Sequence, residues 1–140
     1  MHFEYKVEGG NFTEAGKASS EIKKVLKKLN VNGTIIKKTV VALYEAEVNI
    51  VAHAYKGTIK VDISTDMITM VLQDEGPGIA DIEQAMQEGY STASEEVREM
   101  GFGAGMGLPN IKKNADSLEI QSEVDVGTIV KIEIKLTRNA

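Results

Sequence analysis

Apolar and polar residues alternate from Phe3 to Glu8, with Phe3, Tyr5 and Val7 set against Glu4, Lys6 and Glu8. A period of two predicts a half-buried strand, here at a sheet edge, ending at Gly9-Gly10. The period then lengthens. Ala18, Ile22, Val25, Leu26 and Leu29 form the core stripe of an amphipathic helix that Asn11 or Thr13 would cap and that runs to about Leu29. Asn30 to Gly33 breaks it. A second helix is expected from about Thr34 to Tyr55, with Ile35, Ile36, Val40, Leu43, Ala46 and Ile50 inward, and Gly57 marks its end.

Alternation resumes at Thr58 to Thr65, where Ile59, Val61 and Ile63 face one way and Lys60 and Asp62 the other. A turn near Thr65-Asp66 returns Met67 to Gln73 as the second arm of a hairpin. Its apolar run of Ile68, Met70 and Leu72 delivers Asp74 into a loop. Asp81 to Gln87 reads as a short helix. Ser91 to Gly101 is polar and charged without alternation and reads as a mobile lid. Met106 to Ala115 looks helical. Leu118 and Ile120, then Ile129 to Leu136, read as two antiparallel strands around the turn Asp125-Val126-Gly127. Helices on one side of an alternating, mostly antiparallel sheet make a two-layer α+β sandwich. With no internal repeat or low-complexity linker, residues 1–140 are expected to form a single domain.

Composition narrows the chemistry. At 42% hydrophobic the chain can bury a core, and the absence of Cys excludes a disulfide framework, zinc fingers and cysteine catalysis. The net charge of −5 argues against a nucleic-acid surface, which needs clustered Lys and Arg. The cluster Lys23, Lys24, Lys27 and Lys28 sits at helical spacing beside Ile22, Val25 and Leu26, and reads as a solvated helix face before a partner surface. No apolar run approaches the ~20 residues of a membrane span. The start Met1-His2-Phe3-Glu4 lacks the basic and apolar parts of a signal peptide, so a cytoplasmic location is expected.

Four short segments carry candidate chemistry. Glu45 and Asn49 lie one helical turn apart, so a carboxylate and an amide share a face and can meet a metal-bound triphosphate. In Asp74-Glu75-Gly76-Pro77-Gly78, the glycines at 76 and 78 let the loop bend tightly and let another group approach its backbone. Gly103-Ala104-Gly105-Met106-Gly107 stands directly before a helix, whose first N–H groups can bind phosphate oxygens. Gly127-Thr128 is the fourth. Taken singly each has a plainer reading: Asp74 as a turn residue, Thr128 as a good strand former. Glu47 points off the face of Glu45 and Asn49 and is expected to be solvated. His53 is read as a hydrogen-bonded structural residue before a phosphate acceptor. Arg98, Lys112 and Lys113 are candidate charge partners for phosphate, or else plain surface.

In this order the segments resemble the ATP-binding fold shared by gyrase, heat-shock chaperone and histidine kinase domains, the GHKL (Bergerat) superfamily. The pattern Glu45, Asn49, His53, Tyr55, then Asp74 to Ile79, Asp81-Ile82, Gly89 to Thr92 and Gly103 to Pro109 is most similar to the small bacterial anti-sigma and stressosome-type switch serine/threonine kinases. The likeness spans roughly residues 3 to 136. It implies that Asp74 reads the exocyclic amine of adenine and that Thr128 makes a second contact to the base. It implies an Asn49 amide oxygen on Mg²⁺, Glu45 as the general base, and nucleotide contacts from Gly76, Gly78, Ile79, Gly103, Gly105, Met106, Gly107 and Leu108. Ser91 and Thr92 match the lid entrance. The acidic lid segment Ala93 to Gly101 departs from the short glycine-rich lid of the stressosome kinase and looks more like that of the sporulation anti-sigma kinase, which leaves partner identity open.

The resemblance therefore implies an ATP- or ADP-binding, magnesium-dependent serine/threonine kinase and anti-sigma factor. Its partner would be an anti-sigma-antagonist protein of the STAS type, with a sigma factor or other regulator downstream, no nucleic acid or membrane, and a homodimer among the assemblies allowed. The alternative is a non-catalytic module in which ATP gates the sequestration of a sigma factor or other regulator. A detached histidine kinase ATP domain fits less well, because no phospho-accepting His helix is present.

Overall fold

A computed structural model of the chain describes residues 1–79, 81–86 and 107–136. Five strands form one sheet: β1 (His2–Glu8), β2 (Lys56–Ile63), β3 (Met67–Glu75), β4 (Ser117–Glu123) and β5 (Gly127–Lys135), in the order β1-β2-β3-β5-β4. Each neighbouring pair is antiparallel. The helices are α1 (Lys17–Lys28), α2 (Gly33–His53), a short α3 (Ile82–Ala85) and α4 (Gly107–Asn114). The α+β sandwich and the hairpin pairing expected from alternation are both present. Among the described residues no helix is long and apolar enough to cross a membrane.

The register explains the core. Ile59 opposes Leu72, Leu72 opposes Val130, and Val130 opposes Ile120, so one apolar row crosses the sheet from strand to strand. Ile22 and Leu26 of α1, Leu43 and Ile50 of α2 and Ile111 of α4 pack with that row. Burial of this kind stabilises by roughly 25 cal/mol per Å² of apolar surface, less whatever the unfolded chain already buries.

Several boundaries and one side chain differ from expectation. The first helix starts later: residues Phe12–Glu14 form a 3₁₀ turn, and Gly16 occupies the cap position of α1. Thr13 instead donates its hydroxyl to the Asn11 side chain. Gly16 offers no side-chain oxygen to the N–H groups of α1, and Glu47 of α2 supplies it from another helix. The Ala18 N–H donates to Glu47 Oε2 at 3.2 Å and the Ser19 N–H to Oε1 at 3.4 Å. Glu47 is therefore not solvated but 2% exposed. Orphan N–H groups at a helix start attract a carboxylate strongly enough to hold it inside. Leu29 lies beyond the helix and is exposed, whereas Lys23, Lys24, Lys27 and Lys28 form the solvated face that the spacing indicated. The second helix runs from Gly33 with Asn32 as cap, its side chain accepting the Thr34 N–H at 2.8 Å. Asp81 caps α3 rather than opening it.

Candidate functional site

Two clusters of the expected residues form, one on the sheet and one between helices. On the sheet, Asp74 lies near the end of β3 and Thr128 near the start of the adjacent β5. The Thr128 N–H donates to Asp74 Oδ1 at 3.1 Å. This contact requires Gly127: a Cβ there would collide with the Asp74 carbonyl, and its φ of 157° sits at the margin of what side chains tolerate. Burial lifts the Asp74 carboxyl above the usual aspartate range, against the opposing pull of the Thr128 N–H.

The loop after Asp74 is laced to the β4–β5 turn. Gly76 N–H donates to the Val126 carbonyl at 3.1 Å, and Asp125 N–H donates to the Pro77 carbonyl at 2.9 Å. Gly78 lies against the backbone of Glu123 and Val124. Ile79 N–H donates to Ser122 Oγ at 2.7 Å. That same oxygen lies 2.9 Å from Thr128 Oγ1 and donates to the Gly127 carbonyl at 3.2 Å. Ser122 was not a candidate from the sequence. Its signal was there: it continues the inward series Leu118, Ile120 on β4, a polar residue where the alternation calls for an apolar one.

Between the helices, Glu45 and Asn49 on α2 face the first turn of α4. A Cβ at Gly107 would lie 2.9 Å from Asn49 Oδ1, so only glycine lets the start of α4 come this close. One turn away, Asn110 Nδ2 donates to Glu45 Oε1 at 3.4 Å. The N–H groups of that first turn have no partner within the helix and carry the positive end of its dipole. Leu108 is buried in the core beside Ile111, so any part it takes in ligand binding falls to its backbone. Lys112 and Lys113 are exposed in the last turn of α4, at the opposite end from Gly107. Burial lowers the His53 imidazole below its usual range, which keeps it neutral at pH 7 and suits a structural role. Ser91, Thr92, Arg98, Gly103, Gly105 and Met106, with the expected lid, lie outside the described residues.

The donor set suits magnesium held mostly by other ligands. Among the described residues no group of three or more His, Cys, Asp or Glu converges on one point. A single amide oxygen, Asn49 Oδ1, with the Glu45 carboxylate one turn away, is what Mg²⁺ takes when phosphate oxygens and water supply the rest.

Residues 11–134 match the family described as the histidine kinase-like ATPase domain. The chain belongs to that family. Members of this histidine kinase-like ATPase domain family take ATP or ADP as ligand, and the match runs through both clusters. The domain is 41% identical over 96 residues to an anti-sigma F factor of Thermoanaerobacter sp., covering 65% of this chain and 64% of that protein. It is 38% identical over 103 residues to the anti-sigma F factor of Caldanaerobacter subterraneus, covering 70% and 68%. It is 32% identical over 94 residues to the serine/threonine-protein kinase RsbT of Bacillus subtilis, covering 64% and 65%. The ATPase domain thus spans about two thirds of the length of the curated relatives it matches. Its fold is similar to a crystal structure of RsbU and RsbW domains from Mycobacterium tuberculosis, with a TM-score of 0.67 at 14% identity, covering 100% of this chain and 34% of that one.

Proposed function

We propose that the chain binds ATP or ADP with Mg²⁺ and acts as a serine/threonine protein kinase and anti-sigma regulatory factor, phosphorylating a STAS-type antagonist in a partner-switching pathway. In this reading residues 1–140 work as one kinase domain in the cytoplasm. The observation that carries it is the meeting of α2 and α4, where Glu45 and Asn49 face the helix start that Gly107 allows to approach. The names of the anti-sigma F factor and RsbT relatives support the choice of reaction and partner.

Each residue then has separate work. The Asp74 carboxylate accepts from the exocyclic amine of adenine, and Thr128 makes the second contact to the base. The first turn of α4 binds phosphate oxygens through backbone N–H groups, with Gly103, Gly105 and Met106 leading into it. Asn49 offers its amide oxygen to the metal, and bound Mg²⁺ would neutralise triphosphate charge. Glu45 orients the acceptor hydroxyl and takes its proton. Phosphoryl transfer depends chiefly on such positioning and charge neutralisation.

The test is transfer of labelled γ-phosphate from ATP to a purified STAS-domain protein encoded beside this chain. Wild-type protein should label a Ser or Thr of that substrate and Glu45→Ala should not. Tight ATP binding with no transfer to any such substrate would replace the kinase by the alternative, an ATP-gated module that sequesters a sigma factor or other regulator.

A further inference from the structure

We infer that Asn110 is a positioning residue for Glu45, fixing the carboxylate that would serve as the base; this rests on the kinase reading above. Asn110 Nδ2 donates to Glu45 Oε1 at 3.4 Å, a contact between residues 65 apart in the chain. The pairing has a geometric logic. Gly107 abuts Asn49 and Asn110 meets Glu45, so a step of one turn backward along α2 matches a step of one turn forward along α4. The two helices therefore run antiparallel where they touch, and one turn of α4 serves both members of the α2 pair. Its N–H groups and Gly107 stand at the metal and phosphate end, and its Asn110 side chain stands at the base.

The Glu45 carboxylate has no other hydrogen bond among the described residues. A glutamate on a helix face has three side-chain torsions, and without a donor its carboxylate would sample several rotamers. An amide donor restricts that sampling while leaving Oε2 to the acceptor hydroxyl. An amide also carries no charge, so it orients the base without stabilising the carboxylate anion and weakening its basicity, as a Lys or Arg in its place would. Asn110 is itself held by its place in the helix: Asn114 Nδ2 donates to the Asn110 carbonyl at 2.8 Å, tying down the last turn. Because α4 is also the helix whose start faces the phosphates, any shift of α4 on nucleotide binding moves Asn110 and, through it, Glu45.

The experiment uses the full chain and three variants, Asn110→Ala, Asn110→Asp and Asn110→Gln. Asn110→Ala, lacking the N–H donor, should lower kcat for transfer to the STAS-type substrate about tenfold, with ADP affinity and KM for ATP within about twofold of wild type. The isosteric Asn110→Asp, which also sets a second charge beside Glu45, should lower kcat at least as far. Asn110→Gln, which keeps an amide donor, should recover part of the rate. On a Glu45→Ala background, Asn110→Ala should leave the residual rate unchanged, because Asn110 acts only through Glu45. A readout independent of turnover is the Asn110 side-chain amide resonance in the nucleotide-free protein, which should move on Glu45→Ala. Parent kcat in Asn110→Ala, or an Asn110 amide resonance indifferent to Glu45→Ala, overturns the positioning role and leaves the kinase reading standing. No transfer by wild-type protein that binds ATP overturns both.

Discussion

Thr128 N–H donates to Asp74 Oδ1 at 3.1 Å, so one oxygen of the half-buried carboxylate is committed to the protein backbone. Among the described residues no donor meets the other oxygen. One carboxylate thus joins β3 to β5 and keeps a second oxygen as an acceptor, the one the proposed adenine contact needs. Asp74→Asn keeps the shape but puts an NH₂ where an acceptor is needed. We expect it to fold normally and to lose ADP affinity by about fivefold to a hundredfold, since a buried mismatch of this kind costs about 1 to 3 kcal/mol. Unchanged ADP binding by calorimetry would remove Asp74 from the site.

The same carboxylate sets a pH dependence. Burial raises the Asp74 pKa, so in the nucleotide-free protein it protonates at a higher pH than an ordinary aspartate. On the proposed adenine contact, protonation removes the acceptor offered to the base. Nucleotide affinity should therefore fall on acidification, beginning above the ordinary aspartate range, and Asp74→Asn should abolish that dependence. Affinity that stayed constant down to about pH 4 would contradict the assignment.

Ser122 holds three groups at once: the Ile79 N–H, the Thr128 hydroxyl and the Gly127 carbonyl. With a single proton to give, it constrains which way the Thr128 hydroxyl points. Ser122→Ala should weaken ADP binding about threefold to tenfold, and Ser122→Thr should retain most of it. Equal affinity in all three proteins would mean that the hydroxyl network only closes the loop.

Glu45 and Asn49 should separate chemistry from metal binding. Glu45→Ala is expected to keep nucleotide affinity and lose phosphoryl transfer by at least a hundredfold, within the range general bases supply. Asn49→Ala should abolish the magnesium dependence of ATP binding. Transfer by Glu45→Ala at the parent rate would withdraw the base role, and an unaltered magnesium titration would withdraw the metal role.

Glu47 gives a stability prediction. Burial raises its pKa, opposed by the N–H groups of Ala18, Ser19 and Gly16 and by the Ser19 hydroxyl. The folded protein therefore keeps this proton to a higher pH than the unfolded chain. The associated stability is fully present below the unfolded value of about 4.3 and is lost as pH rises through the folded value. Tyr5 and Glu21 lie nearby: burial, then Glu21, then Glu47 raise the Tyr5 phenol. Glu47→Gln should flatten the pH dependence of urea unfolding in that window. Glu47→Ala should destabilise by about 1 to 2 kcal/mol, the usual cost of uncapping a helix. A pH profile identical in Glu47→Gln and wild type would place the dependence elsewhere.

Local patterns made most of the fold legible. Period-two alternation marked all five strands, and the inward rows Ile59-Val61-Ile63 and Ile68-Met70-Leu72 fell on the helix side. Asp74, Thr128, Glu45 and Asn49 were legible because each sits at a glycine signal or at helical spacing. Glu47 was misread because its partners are N–H groups on another helix, 29 and 28 residues away, and periodicity cannot see a cap supplied in trans. Asn110 was invisible for the same reason. The late start of α1 followed from Gly16 taking the cap position, where a search for Ser, Thr, Asp or Asn finds nothing.

The two clusters hang on different mechanical supports. Asp74 and Thr128 belong to β3 and β5, and β3 is hydrogen-bonded on both of its edges. Amides there exchange with solvent only when the sheet itself opens, which is the slowest opening a domain has. The α4 end rests on α2 through side-chain packing and a weak amide contact, with no backbone ladder to hold it. A ligand spanning both would tie a helix held by side-chain packing to a strand held by two backbone ladders. Nucleotide should therefore slow exchange in α4 by a far larger factor than in β3, and the occupied domain would open more nearly as one unit.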